Sequence, residues 1–275
     1  MDPHGVPSAG DFAIARSAAV FLEGTRNVTI SHCNFTRVDG NALMVSGHNR
    51  GAAVTQNTFS WIGDNAVVVW GRTNETAANP LEGFDGTDGN HPQGTIVDGN
   101  VIREIGIYEK QSGWFFQAKA AETVVSNNVM FNAPRNGITF NDPFAGGDLI
   151  TGNLAFSAMR ETQDGGTYNS WDRQPFLTTT LTGQPSPFMK YREISLNFLI
   201  NNYHMEMGKD LDMRPGRPTN PFANPLRPWR VCSIRTRGCV VTLSRTRHSP
   251  GLGRRNELHA GPSQLPRWRG VGHEE

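Results

Sequence analysis

Residues 123–130 read TVVSNNVM: three β-branched residues, two polar residues, an asparagine and two apolar residues. The pattern returns as VTISHCNF at 28–35, AAVTQNTF at 52–59, TIVDGNVI at 95–102, LITGNLAF at 149–156 and EISLNFLI at 193–200. Its asparagines are Asn34, Asn57, Asn100, Asn128, Asn153 and Asn197, spaced 23, 43, 28, 25 and 44 residues apart. The two long intervals each contain a Gly-, Pro- and Asn-rich insertion, at 72–94 and 174–192, so the underlying period is 23 to 28 residues. Self-similarity at such a period marks a stacked architecture in which each repeat buries its apolar side against its neighbours.

A second motif follows each asparagine, a small or polar turn and then a short apolar strand. It reads DGNALMVSG at 39–47, GDNAVVVWG at 63–71, QSGWFFQAK at 111–119, PRNGITFND at 134–142 and DGGTYNSWD at 164–172. Two short strands per period suit one coil of a β-helix, with neighbouring coils about 4.8 Å apart and equivalent residues stacked in columns. An inward asparagine in such a column hydrogen-bonds the backbone at a bend and its counterparts above and below. A leucine-rich repeat would need a leucine consensus, a propeller blade about 40 residues, and a jelly roll would not repeat at all. The expected fold is therefore all-β, a right-handed parallel β-helix of about five to six coils over residues 19–210. A lead-in precedes it at 1–18, and an irregular or disordered tail follows at 211–275.

Composition agrees with short strands and many turns: 37% apolar, 19% charged and 30 glycines. The net charge of +1 conceals a division. Up to Met213 there are 14 Lys and Arg against 22 Asp and Glu, a net of −8; from Arg214 onward 12 Arg face three Glu, a net of +9. Arginine without a single lysine is unusual for a basic tail, and the tail is read here as sequence translated outside the original frame. Three cysteines, Cys33, Cys232 and Cys239, are too few and too scattered for a disulfide framework. No run of 18 apolar residues spans a membrane, and the N-terminus lacks the basic and apolar regions of a secretion signal. No nucleotide-binding loop, CxxC pair or HExxH motif occurs, so neither a nucleotide cofactor nor structural zinc is indicated.

The stretches NVTISHCNFTRVDGNALMVSG, GTIVDGNVIREIGIYEKQSGWFFQAKAAETVVSNNVMFN and RETQDGGTYNSWDRQPF resemble the right-handed parallel β-helix repeat family of the pectate-lyase-like superfamily. The DGG run followed by Tyr and Trp resembles members that are glycoside hydrolases. What the resemblance implies is an extracellular protein acting on a polysaccharide or oligosaccharide, with no nucleic-acid partner. After INNYH the family pattern would continue with further coils, and this sequence departs from it there.

Hydrolysis of a glycosidic bond needs two carboxyl groups about 5 to 9.5 Å apart, and adjacent rungs supply spacings of that order. Aligning the second motifs on Asn41, Asn65, Ser112, Asn136 and Gly165 places polar residues at the strand ends. Asp164, in a Gly-flanked turn, Asp142 and Asp172 are the catalytic candidates, with Glu161 behind them. Gln117, Lys119, Asn141, Trp171 and His204 are the substrate-binding candidates, and Trp114 is a further aromatic platform. Each has a plain structural reading as well: Asp142 before Pro143 and Asp164 before Gly165 also suit turns, and Trp171 suits core packing. A polysaccharide lyase is the rival activity, with Lys119, Arg160 or Arg173 neutralising a uronate, or a Ca²⁺ held by Asp142 and Asp172. The acidic body disfavours a polyanionic substrate, which ranks hydrolysis first and leaves no cofactor required. A non-catalytic carbohydrate-binding or cell-surface module, or a truncated inactive product, stand as readings of a different class.

Overall fold

The structure, a computed structural model, describes residues 15–72, 88–141, 146–162, 165–171 and 192–201, together with two strands of the tail. It is a right-handed parallel β-helix, a coil of three parallel sheets without a helix among the described residues. Sheet 1 stacks Val20–Arg26, Leu43–Arg50, Val67–Trp70, Phe115–Ala118, Ile138–Asn141 and Tyr168–Trp171, with Pro92–Gln93 beside Leu43–Arg50. Sheet 2 stacks Thr29–Ser31, Ala53–Thr55, Ile96–Asp98, Val124–Ser126, Leu149–Thr151 and Glu193–Ser195. Sheet 3 stacks Asn34–Val38, Thr58–Ile62, Val101–Ile105, Val129–Phe131, Leu154–Phe156 and Phe198–Asn201. Each coil runs from sheet 2 to sheet 3 to sheet 1.

The sequence motifs suggested two strands per period, whereas each coil has three. The first motif is itself bent in two, because the residue before the pivotal position takes a left-handed backbone on every rung. These are His32 (φ 56°), Gln56 (55°), Gly99 (65°), Asn127 (53°), Gly152 (68°) and Leu196 (56°). Only glycine and, less readily, asparagine adopt this region without cost. Six consecutive rungs in that conformation mean that the stacking imposes it.

The bend is held by a ladder of amides. The Asn57 Oδ1 accepts from the Cys33 backbone N–H at 2.9 Å. Asn57, Asn100, Asn128 and Asn153 each donate both the backbone N–H and the side-chain amide to the next asparagine Oδ1, at 2.8 to 3.1 Å, ending on Asn197. Each side-chain amide from Asn57 to Asn197 also reaches a carbonyl of the coil before, as Asn128 Nδ2 does to Val97 O at 2.9 Å. The first rung of this column is Cys33, not Asn34. Asn34 pairs in sheet 3 with Thr58, one residue past the ladder, and is exposed.

The core lies inside the coil. Alternate residues point inward from sheet 2 (Val54, Val97, Val125, Ile150, Ile194), sheet 3 (Phe59, Ile102, Met130, Ala155) and sheet 1 (Leu43, Val45, Val67, Val69, Phe115, Ile138, Phe140), all at most 3% exposed. The tail, expected to be irregular, contributes two six-residue strands, Val231–Thr236 and Cys239–Ser244, as an antiparallel hairpin. Cys239–Ser244 pairs antiparallel with Phe198–Asn201 at the end of sheet 3. No helix of the described residues is long and apolar enough to cross a membrane.

Candidate functional site

The candidate site lies where the strands of sheet 1 end, and its register differs from the sequence alignment. Leu43, Val67, Phe115, Ile138 and Tyr168 are partners on successive rungs. The residues that begin those rungs are therefore Asn41, Asn65, Gly113, Asn136 and Gly166, so Ser112 and Gly165 each stand one position out. The hydrogen bonds say the same: Gly113 N–H donates to Asn65 Oδ1 at 2.8 Å and Gly166 N–H to Asn136 Oδ1 at 3.0 Å. A one-residue slip turns each side chain to the other face, and the expected patch is divided accordingly.

Gln117 falls in the inward column, with Val45, Val69, Phe140 and Ser170. It is fully buried, and its amide donates to Asp148 Oδ1 at 3.1 Å and Ala120 O at 3.3 Å. The outward column at the strand ends runs Ser46, Trp70 and Ala118 to Asn141, whose backbone pairs directly with that of Trp171. Asn141 is 4% exposed, and Trp171 is placed by its backbone alone. Lys119 follows Ala118, fully buried in a left-handed conformation (φ 51°). Its carbonyl lies against Gly71, where a Cβ would come within 1.9 Å. Asp142, Asp164, Asp172 and His204 lie outside the described residues. Asp142 and Asp172 directly follow the paired Asn141 and Trp171 in sequence. Asp164 precedes Gly165, whose φ of 133° and near-contact with the Asn136 amide admit only glycine.

Trp114 is no platform: it is fully buried, its indole N–H donating to Phe131 O at 3.2 Å. Glu161 is an exposed partner of Lys110 at 3.0 Å.

Behind these strand ends lies a polar cluster that the sequence reading missed. Asp148 and Arg192 form an ion pair at 3.1 Å with both side chains fully buried. The guanidinium also donates to Ser170 Oγ at 2.8 Å and Tyr168 Oη at 3.4 Å, and stacks over Phe140 at 4.2 Å. Asp148 Oδ1 accepts from Thr123 N–H at 3.0 Å as well as from Gln117. The residues just before successive sheet 2 strands form one inward column, Ala52, Thr95, Thr123, Asp148 and Arg192. The available signal was therefore the stacking of Asp148 and Arg192 at that one position. The cluster ties Ile138–Asn141 and Tyr168–Trp171 from the inside and fixes Arg192 ahead of Glu193–Ser195.

Away from this edge two titratable groups are perturbed. Asp64, 3% exposed, accepts from Asn65 Nδ2 at 2.7 Å. Burial pushes its carboxyl up to about 7, opposed by the Asn65 backbone and helped by the charge of Glu109. His91, fully buried beside Gln93, is pushed down to about 3 by burial, then by Arg50 and His48. Among the described residues no group of His, Cys, Asp and Glu is arranged to hold a metal ion.

No family model matches the chain, and no curated protein matches it. A solved structure described as a glycoside hydrolase is similar in fold, with a TM-score of 0.51 and 16% sequence identity. The similarity covers 69% of this chain and 31% of that one, so the chain spans less than a third of the structure it resembles.

Proposed function

We propose that the chain is a carbohydrate-active β-helix of the pectate-lyase-like superfamily that hydrolyses glycosidic bonds in an extracellular polysaccharide. The observation that carries this reading is the direct pairing of Asn141 with Trp171. It sets the residues that immediately precede Asp142 and Asp172 side by side at one edge of sheet 1, on rungs about 4.8 Å apart. Rungs at that spacing support a pair of carboxyl groups at about the 5–5.5 Å that retaining hydrolysis uses. Asp164, before Gly165, whose bare Cα is all that fits against the Asn136 amide, is a separate candidate at the start of the rung that ends in Trp171. Trp171 and Asn141 serve as the aromatic and polar contacts for a sugar ring, and Lys119 supports the edge through its carbonyl at Gly71. Gln117, turned inward, is assigned to positioning rather than to contact with substrate. The glycoside hydrolase similarity, though it shows the fold alone, is consistent with this class of substrate.

The test is a reducing-sugar assay of the full chain on a panel of neutral and acidic polysaccharides, with Asp142→Asn, Asp164→Asn and Asp172→Asn. Loss of one essential carboxyl is expected to lower kcat by about 10²–10⁴-fold with the melting temperature unchanged. Full turnover in all three variants would remove these residues from the mechanism. An unsaturated uronate product would convert the activity to elimination.

A further inference from the structure

The outer face of a solenoid sheet ordinarily meets water, yet on sheet 1 the outward residues Met44, Val68, Trp70, Phe116 and Ala118 are at most 2% exposed. Residues 15–18, arriving before the first strand of sheet 1, cross this face, and Ala18 packs against the cluster. Asn41 Nδ2 holds the segment by donating to Ala15 O and Ser17 O, each at 3.0 Å, and Ala19 N–H donates to Asn41 O at 3.0 Å. From this anchor Arg16 reaches two rungs along the coil. Its Nη1 donates to Ser46 Oγ at 2.8 Å and Trp70 O at 3.0 Å, its Nη2 to Gly71 O at 3.3 Å, and the guanidinium carbon stands 3.8 Å from the centre of the Trp70 ring.

The position matters because Ser46 and Trp70 belong to the outward strand-end column that continues through Ala118 to Asn141, the register partner of Trp171. One face of an indole takes either a guanidinium or a sugar ring, not both. The indole N–H of Trp70 is buried without a hydrogen-bond partner among the described residues. A buried donor in that state is costly and fits a site awaiting an acceptor. The acceptors of Arg16 among the described residues include one hydroxyl and two carbonyls. Moving the Arg16 side chain would release the face of the ring it occupies while the Asn41 anchor keeps the segment in place.

We propose that residues 15–18 are a built-in cover on the sugar-binding row of sheet 1, with Arg16 standing on Trp70 where a sugar ring docks. The inference rests on the carbohydrate reading for what is docked, but not for the cover itself. Ligand and Arg16 compete for the same ring, so the resting protein binds glycan more weakly than its uncovered form.

The experiment uses the full chain and Arg16→Ala, each compared with its Trp70→Phe counterpart so that the fluorescence of Trp70 is obtained by difference. Acrylamide quenching of Trp70 is expected to rise at least threefold on Arg16→Ala, and unchanged quenching would overturn the cover. Calorimetric titration with neutral and uronic oligosaccharides is expected to show about tenfold tighter binding by Arg16→Ala. Equal affinity of both proteins, with Trp70 uncovered, would overturn the competition. If Trp70 is uncovered and neither protein binds any oligosaccharide, the cover stands and it is the carbohydrate reading that fails.

Discussion

Replacing Asn128 by alanine should be among the most damaging single changes in this chain, although it removes little apolar surface. Asn128 Oδ1 accepts the backbone N–H and the side-chain amide of Asn100, both at 2.9 Å. Its own amide donates to Asn153 Oδ1 at 3.0 Å and Val97 O at 2.9 Å. Alanine leaves two donors of Asn100, itself 1% exposed, without an acceptor. At about 1–3 kcal/mol for each buried group left unpaired, the loss is about 2–6 kcal/mol, set against a total stability on the order of 5–15 kcal/mol. Asn34→Ala, in contrast, touches an exposed residue outside the ladder and should stay within about 0.5 kcal/mol. The third variant, Asn128→Asp, keeps the shape but points a charged oxygen at Val97 O and Asn153 Oδ1, so it should be at least as harmful as alanine. Urea unfolding of the full chain, followed by circular dichroism and compared at equal m-value, reads all three. A loss below about 1 kcal/mol for Asn128→Ala would refute hydrogen bonding as the cause, and equal losses at Asn34 and Asn128 would refute the register.

Arg192→Met leaves Asp148 as a buried carboxylate with its cation removed, and should lower the urea midpoint by the equivalent of about 3–5 kcal/mol; adding Asp148→Leu should recover part of the loss. Leu196, 71% exposed in a left-handed conformation, should be improved by asparagine, raising stability by about 0.5–1 kcal/mol in the same assay. The buried groups give a pH signature of opposite signs. With Asp64 raised from 3.8 to about 7, the unfolded chain releases its proton first, so stability falls by up to about 1.4 kcal/mol per unit as pH rises from about 4 to 7. With His91 lowered from 6.5 to about 3, the unfolded chain takes up a proton first, so stability is lost as pH falls from about 6.5 to 3. The two slopes offset each other between about pH 4 and 6.5. Asp64→Asn should therefore make stability rise with pH in that window relative to wild type, and His91→Gln should make it fall; parallel curves for all three proteins would count against both assignments.

The asparagine repeat made the coil legible because one chemical demand recurs on every rung, a polar group to cap the backbone at a bend. That demand also explains the error at the first rung. VTISHCNF contains an asparagine one residue late, and the position it was thought to fill is held by Cys33, whose backbone N–H alone meets the ladder. At the end of the stack only one neighbour has to be satisfied, so the amide is dispensable there. The second strand was harder to align because two of its five rungs use glycine, Gly113 and Gly166, where the others use asparagine, and a missing side chain leaves no letter to align on. A Cβ on Gly113 would lie 2.5 Å from Asn136 O, so close packing, which no repeat of residue type announces, selected the glycine. The consequence falls on the site. With those two rungs shifted by one residue, Gln117 reads as an outward contact instead of an inward partner of Asp148, and Ala118 and Trp171 drop out of the row that holds Trp70 and Asn141. Arg192 and Asp148 escaped for a related reason: their spacing of 44 residues crosses an insertion, and only the coil brings the two positions to adjacent rungs. In a solenoid, composition and period decide that columns exist, but which residues share a column is decided one turn at a time by the length and tightness of each bend.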